Sequence, residues 1–114
     1  MRKQLVRSIC LGGLAATGLL LWQQQPVSAA ETVKVDIRNA GGFKFFPADV
    51  KISAGDTIQW VPAAGTHNLV GDNGFNNVPD FDPPVTPTQI FNTPGTIKYH
   101  CIYHKTMTGT ITVK

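Results

Sequence analysis

From Glu31 onward the chain alternates. Val33, Val35 and Ile37 interleave with Lys34, Asp36 and Arg38, sending apolar side chains to one face of an extended strand and charges to the other. The same two-residue period returns in Val50-Lys51-Ile52, Ile58-Gln59-Trp60, Ile97-Lys98-Tyr99-His100-Cys101 and Thr110-Ile111-Thr112-Val113. Between these runs lie breakers, Ala54-Gly55-Asp56, Gly71-Asp72-Asn73-Gly74 and Thr93-Pro94-Gly95, and no stretch sustains a helical period. The pattern predicts an all-β domain, an antiparallel Greek-key β-sandwich of about seven or eight strands. The segment Asn76 to Pro87 holds four of the eight prolines together with Asp80 and Asp82, and is expected to be a long surface loop.

The first thirty residues follow a different rule. Arg2, Lys3 and Arg7 make a basic start, Ile9 to Trp22 an uncharged and mainly apolar run, and Val27-Ser28-Ala29-Ala30 a small-residue cleavage point. This predicts a secretory signal peptide over 1–30, cleaved after Ala29 or Ala30, and a mature domain over 31–114. The apolar run has fourteen residues, short of the roughly 20 that cross a bilayer as a helix. An uncleaved anchor is the less favoured alternative, and no stable membrane insertion is expected after processing.

Cleavage changes the charge. The formal net charge of +3 includes Arg2, Lys3 and Arg7; without them seven basic side chains face seven acidic ones. No basic footprint for nucleic acid remains. Cys10 leaves with the peptide, so Cys101 is the one cysteine of an exported domain and has no internal disulfide partner.

The candidate chemistry lies in Tyr99-His100-Cys101-Ile102-Tyr103-His104-Lys105-Thr106-Met107, where a thiol, an imidazole and a thioether follow one another at three-residue intervals. A loop between two strands can offer all three to one metal ion. A second imidazole is available from Gly65-Thr66-His67-Asn68-Leu69, read as another inter-strand loop. Two His, one Cys and a weak axial Met form the ligand set of a blue-copper electron-transfer centre. Soft Cu(I) prefers sulfur and Cu(II) prefers nitrogen, so this mixed set serves both states with little rearrangement.

Each residue also has a plain structural reading. Cys101 and Met107 taken singly read as core side chains, and His67 taken singly as a solvated loop residue. His100 neighbours Cys101, but alternation turns it to the opposite face with Lys98, so it is expected on the surface. A catalytic thiol using Cys101 lacks an acidic residue to orient its histidine, structural zinc rarely takes a thioether, and there is no haem-attachment Cys-x-x-Cys-His sequence. With three histidines in the chain, the further clusters of a multicopper oxidase are absent.

These residues resemble the small cupredoxins, most closely amicyanin and the plastocyanins. The likeness runs through Phe43-Lys44-Phe45-Phe46-Pro47, Val50-Lys51-Ile52, Ala54 to Trp60, His67-Asn68-Leu69, Gly95 to Cys101 and Met107 to Val113. The Cys-x-x-His-x-x-Met spacing matches the short amicyanin loop. Thr66 stands where a proline often precedes the first histidine, and Ile102-Tyr103 where Thr-Pro or Ser-Pro is usual. The resemblance implies that Asn68 ties the two ligand segments together by side-chain hydrogen bonding and that the edge of His104 is the electron port. Ile102 and Tyr103 are candidates for the rim of that port.

The expectation is therefore a monomeric cupredoxin-like domain over 31–114 that binds one copper ion through His67, Cys101, His104 and Met107. It would carry single electrons as Cu(II)/Cu(I) between transient redox proteins such as a cytochrome, a dehydrogenase or a photosynthetic complex, with no substrate turnover of its own. Periplasm and thylakoid lumen both suit an exported carrier. Asp72, Asp80 and Asp82 mark a candidate acidic area. The alternative is a copper-handling protein that delivers the metal without redox turnover.

Overall fold

The computed structural model describes residues 29–114; the expected signal peptide lies almost wholly outside the described residues. Among the described residues the regular structure consists of nine strands: β1 (Thr32–Asn39), β2 (Phe43–Phe46), β3 (Asp49–Ile52), β4 (Asp56–Pro62), β5 (His67–Gly71), β6 (Val78–Phe81), β7 (Thr88–Phe91), β8 (Gly95–His100) and β9 (Thr108–Val113). They form two sheets, β2-β1-β4-β7 and β3-β9-β8-β5-β6.

The β-sandwich expected from the alternation is present, but its sheets are mixed rather than purely antiparallel. β1 pairs in parallel with β4, and β3 with β9. Local alternation sets which face of a strand is apolar; it carries no information about neighbour direction, which depends on where the chain crosses between layers. The second departure is β6, an edge strand inside the segment expected to be loop. Pro79 is compatible with that place because an edge strand leaves part of its backbone unpaired. β5 also replaces an expected loop, so His67 begins a strand.

The alternating residues make the core. Val35 and Ile37, Ile58 and Trp60, Ile97 and Tyr99, and Ile111 and Val113 are buried from the two facing sheets. At the centre the indole N–H of Trp60 donates to the Tyr99 hydroxyl at 3.1 Å, and Phe75 stacks on the Tyr99 ring with centroids 5.4 Å apart. Gly109 lies opposite Tyr99 across the β8–β9 pair. A Cβ there would lie 2.6 Å from the tyrosine ring, so the bare backbone lets the ring settle on the strand.

Burial keeps the Tyr99 phenol protonated well above the usual tyrosine range, opposed by the Trp60 hydrogen bond. Away from this cluster, the Asp56 carboxylate accepts the backbone N–H groups of Glu31 at 3.0 Å and Ser53 at 2.9 Å. These bonds hold its pKa below the ordinary value and fasten the start of β1 to the β3–β4 turn.

Candidate metal centre

β8 and β9 form an antiparallel pair ending at His100 opposite Thr108. The seven residues between them, Cys101 to Met107, are the turn at one end of the sandwich. Alternation along β8 makes Ile97 and Tyr99 inward, and Cys101 continues that register at 2% exposure. His100 is exposed, as its register predicts. β5 lies beside β8 with Val70 opposite His100, which brings the start of β5, His67, alongside the same turn.

His67, Cys101 and His104 converge, their nearest ligand atoms all within 4.8 Å of one another. Cys101 Sγ and His104 Nδ1 are 3.6 Å apart, and the two imidazole centroids are 5.0 Å apart. The Phe43 ring packs on both imidazoles, with centroids 4.8 Å from His67 and 4.6 Å from His104. Met107 is fully buried at the far end of the turn. Its carbonyl accepts the Cys101 N–H at 3.1 Å, and its own N–H donates to the His104 carbonyl at 3.0 Å, folding the turn back on itself.

The first imidazole has a telling arrangement. His67 is fully buried, its Nε2 lies 2.7 Å from the Ala64 carbonyl oxygen, and its Nδ1 has no hydrogen-bond partner. A carbonyl accepts, so Nε2 carries the proton and Nδ1 presents a lone pair. Leaving a buried acceptor unpaired costs about 1–3 kcal/mol, and metal coordination relieves that cost. Burial is the main influence holding His67 below the usual imidazole pKa. The Ala64 hydrogen bond opposes it, His104 reinforces it, and Asp82 opposes it. A neutral imidazole is the form that binds metal. Gly65, at φ +86°, permits the bend: a Cβ there would lie 3.2 Å from His67 Nε2 and 3.0 Å from Phe43.

Asn68 makes one side-chain hydrogen bond to the ligand turn. Its Oδ1 accepts the Ile102 N–H at 3.0 Å, joining the residue after one histidine to the residue after the cysteine. In effect this continues the β5–β8 ladder where the backbone turns away. Ile102 and Tyr103 are 59% and 51% exposed and precede the partly exposed His104.

Some contributors were not singled out from sequence. Phe43 forms the wall against the imidazoles, the Ala64 carbonyl fixes the His67 tautomer, and Thr106 Oγ1 donates to the Phe43 carbonyl. The inward alternation of Phe43 with Phe45 was the available signal for the first; the other two depend on contacts between distant or folded-back segments.

A β-sandwich that places a buried thiol, two imidazoles and a buried thioether around one loop end defines a protein of the cupredoxin class. Residues 31–114 match the family described as copper binding proteins, plastocyanin/azurin family, and the chain belongs to it. Plastocyanin from Scenedesmus fuscus is 37% identical over 97 residues, 73% of this chain and 98% of that protein. Plastocyanin from Prochlorothrix hollandica is 32% identical over 114 residues, 85% of this chain and 83% of that protein. The Cu(I) form of an amicyanin variant superposes with a TM-score of 0.65 at 25% identity, covering 76% of this chain and 86% of amicyanin.

Proposed function

We propose that this chain is an exported carrier of single electrons built on one copper ion, with His67, Cys101, His104 and Met107 as its ligands. The observation that carries the assignment is the unpaired Nδ1 of the buried His67, set beside Cys101 Sγ and His104 Nδ1. Met107 completes the donor set from the far end of the same turn. Bound copper supplies the Cu(II)/Cu(I) couple.

The protein holds those donors on strand ends and on a turn closed by its own backbone hydrogen bonds, so the ligand positions are set before metal arrives. On the inner side Phe43 packs against His104 and Met107 is fully buried. His104 is partly exposed and follows the exposed Ile102 and Tyr103. A redox partner meets an apolar surface there, which suits a brief contact of small area. The partners are other redox proteins, and the domain turns over no substrate of its own. Export is supported by the basic, apolar and small-residue order of 1–30, and by a family match that starts at Glu31. Either the periplasm or the thylakoid lumen would then be the site of action.

Addition of Cu(II) tests the assignment. The expected result is an intense visible charge-transfer band that requires Cys101 and is lost completely in Cys101→Ser, while the strand content of the variant is retained. Copper binding without that band would favour the copper-handling alternative, and binding that survives unchanged in Cys101→Ser would remove the thiolate from the site.

A further inference from the structure

The turn that carries His104 contains no proline, and four of its seven residues, Ile102, Tyr103, Lys105 and Thr106, are exposed, so side chains that reach it add to the stiffness its backbone hydrogen bonds supply. One brace is Asn68. On the same side stands Asp80 of β6, whose Oδ2 accepts the Tyr103 hydroxyl at 2.6 Å and whose Oδ1 accepts Asn68 Nδ2 at 3.5 Å. A single carboxylate thus contacts the residue preceding His104 and the residue following His67.

Asp80 is itself well placed to act as an anchor. It precedes Phe81, which pairs with His67 across β5 and β6, and it follows Pro79, whose ring fixes its own φ. The 2.6 Å contact lies in the range of a charge-assisted O–H···O⁻ hydrogen bond.

We propose that Asp80 is a positioning residue for the copper centre, acting through Tyr103 on the turn that presents His104. This rests on the copper reading above. The Asp80–Tyr103 bond restrains the backbone next to His104 through a contact separate from the packing of Phe43 on the imidazole. It keeps the imidazole at one angle in both charge states of the centre. Asp80 is therefore committed to the turn and does not simply contribute charge to an acidic area with Asp72 and Asp82.

The test compares the copper-loaded protein with Asp80→Ala, Tyr103→Phe, the double variant, and Asp82→Asn as a control for local charge. Loss of outer hydrogen bonds to metal ligands commonly costs 10–100-fold in affinity. Through one intervening residue we expect the lower end, release of Cu(I) to a competing chelator about ten-fold faster in either single variant. The double variant should release no faster than Asp80→Ala, and both singles should shift the reduction potential. Asp82→Asn removes a charge that acts on His67 without touching Tyr103, and should therefore change release less than Asp80→Ala does.

Parent-like release and potential in Asp80→Ala and Tyr103→Phe would overturn the proposal, as would an Asp82→Asn effect equal to that of Asp80→Ala. Backbone amide exchange in the metal-free protein gives a second reading. The Ile102 and Met107 N–H groups, both donors within this turn, should exchange faster in the two single variants. Unchanged protection at both amides would also overturn the brace. A parent protein with no visible band would instead overturn the copper reading, with the amide exchange still deciding whether the brace exists.

Discussion

The chain along β8 and into the turn that follows it passes through two aromatic clusters that obey opposite rules. At Tyr99 it enters the core, where Trp60, Phe45 and Phe75 surround the phenol and the buried indole N–H finds its acceptor. Two residues later, at Cys101, it enters a cluster of similar size formed by His67, His104 and Phe43, and here a buried nitrogen has no partner. The core is complete as folded; the other cluster is completed by a ligand. An unsatisfied buried atom inside an otherwise well-packed sandwich is the physical mark of where function departs from stability.

Variants that separate the two clusters sharpen this contrast. The largest effect is expected from Cys101→Ser, which should abolish the visible copper band while the core persists, as absorption and circular dichroism together would show. Gly109→Ala should do the reverse. Its Cβ meets the Tyr99 ring at 2.6 Å, so overpacking should cost up to about 3 kcal/mol, while the shape of the copper band stays the same. Thermal unfolding reads that loss as roughly 4–8 °C per kcal/mol for a domain of this size.

Tyr99→Phe should cost about 1–2 kcal/mol at neutral pH, because the Trp60 N–H loses its acceptor. It also has a pH signature. The raised Tyr99 pKa means that the unfolded chain ionises first, so the parent should lose stability as pH rises past about 10, the ordinary phenol value. Denaturant titrations across that range should show a shallower loss in Tyr99→Phe. The smallest stability change is expected for Met107→Leu, under about 1.5 kcal/mol because volume is conserved. That variant should keep its colour but show a higher reduction potential, since a hydrocarbon offers the more highly charged copper state no donor. A potential equal to the parent's would remove Met107 from the ligand set.

The same two regions differ in how far they could be read from sequence. β1, β4, β8 and β9 were legible because each has one wet and one dry face, and a period of two records that directly. β5 was not, because His67, Asn68 and Leu69 are all buried and the alternation disappears. β6 was hidden by Pro79 and Asp80, residues an edge strand tolerates. Three of the four proposed ligands lie in one short segment, and their spacing was visible at once. Asp80 was not legible as a brace, since its partner Tyr103 is 23 residues away and nothing local links them. The parallel pairings were likewise set by crossovers between layers, which no strand records in its own sequence.

The most direct test is a reductive titration of the copper-loaded protein, followed by reoxidation through several cycles in the presence of a Cu(I) chelator. The expected result is one electron per chain, complete bleaching and recovery of the visible band, and copper retained throughout. Transfer of the metal to the chelator on the first reduction would contradict the electron-carrier reading and identify a protein that delivers copper.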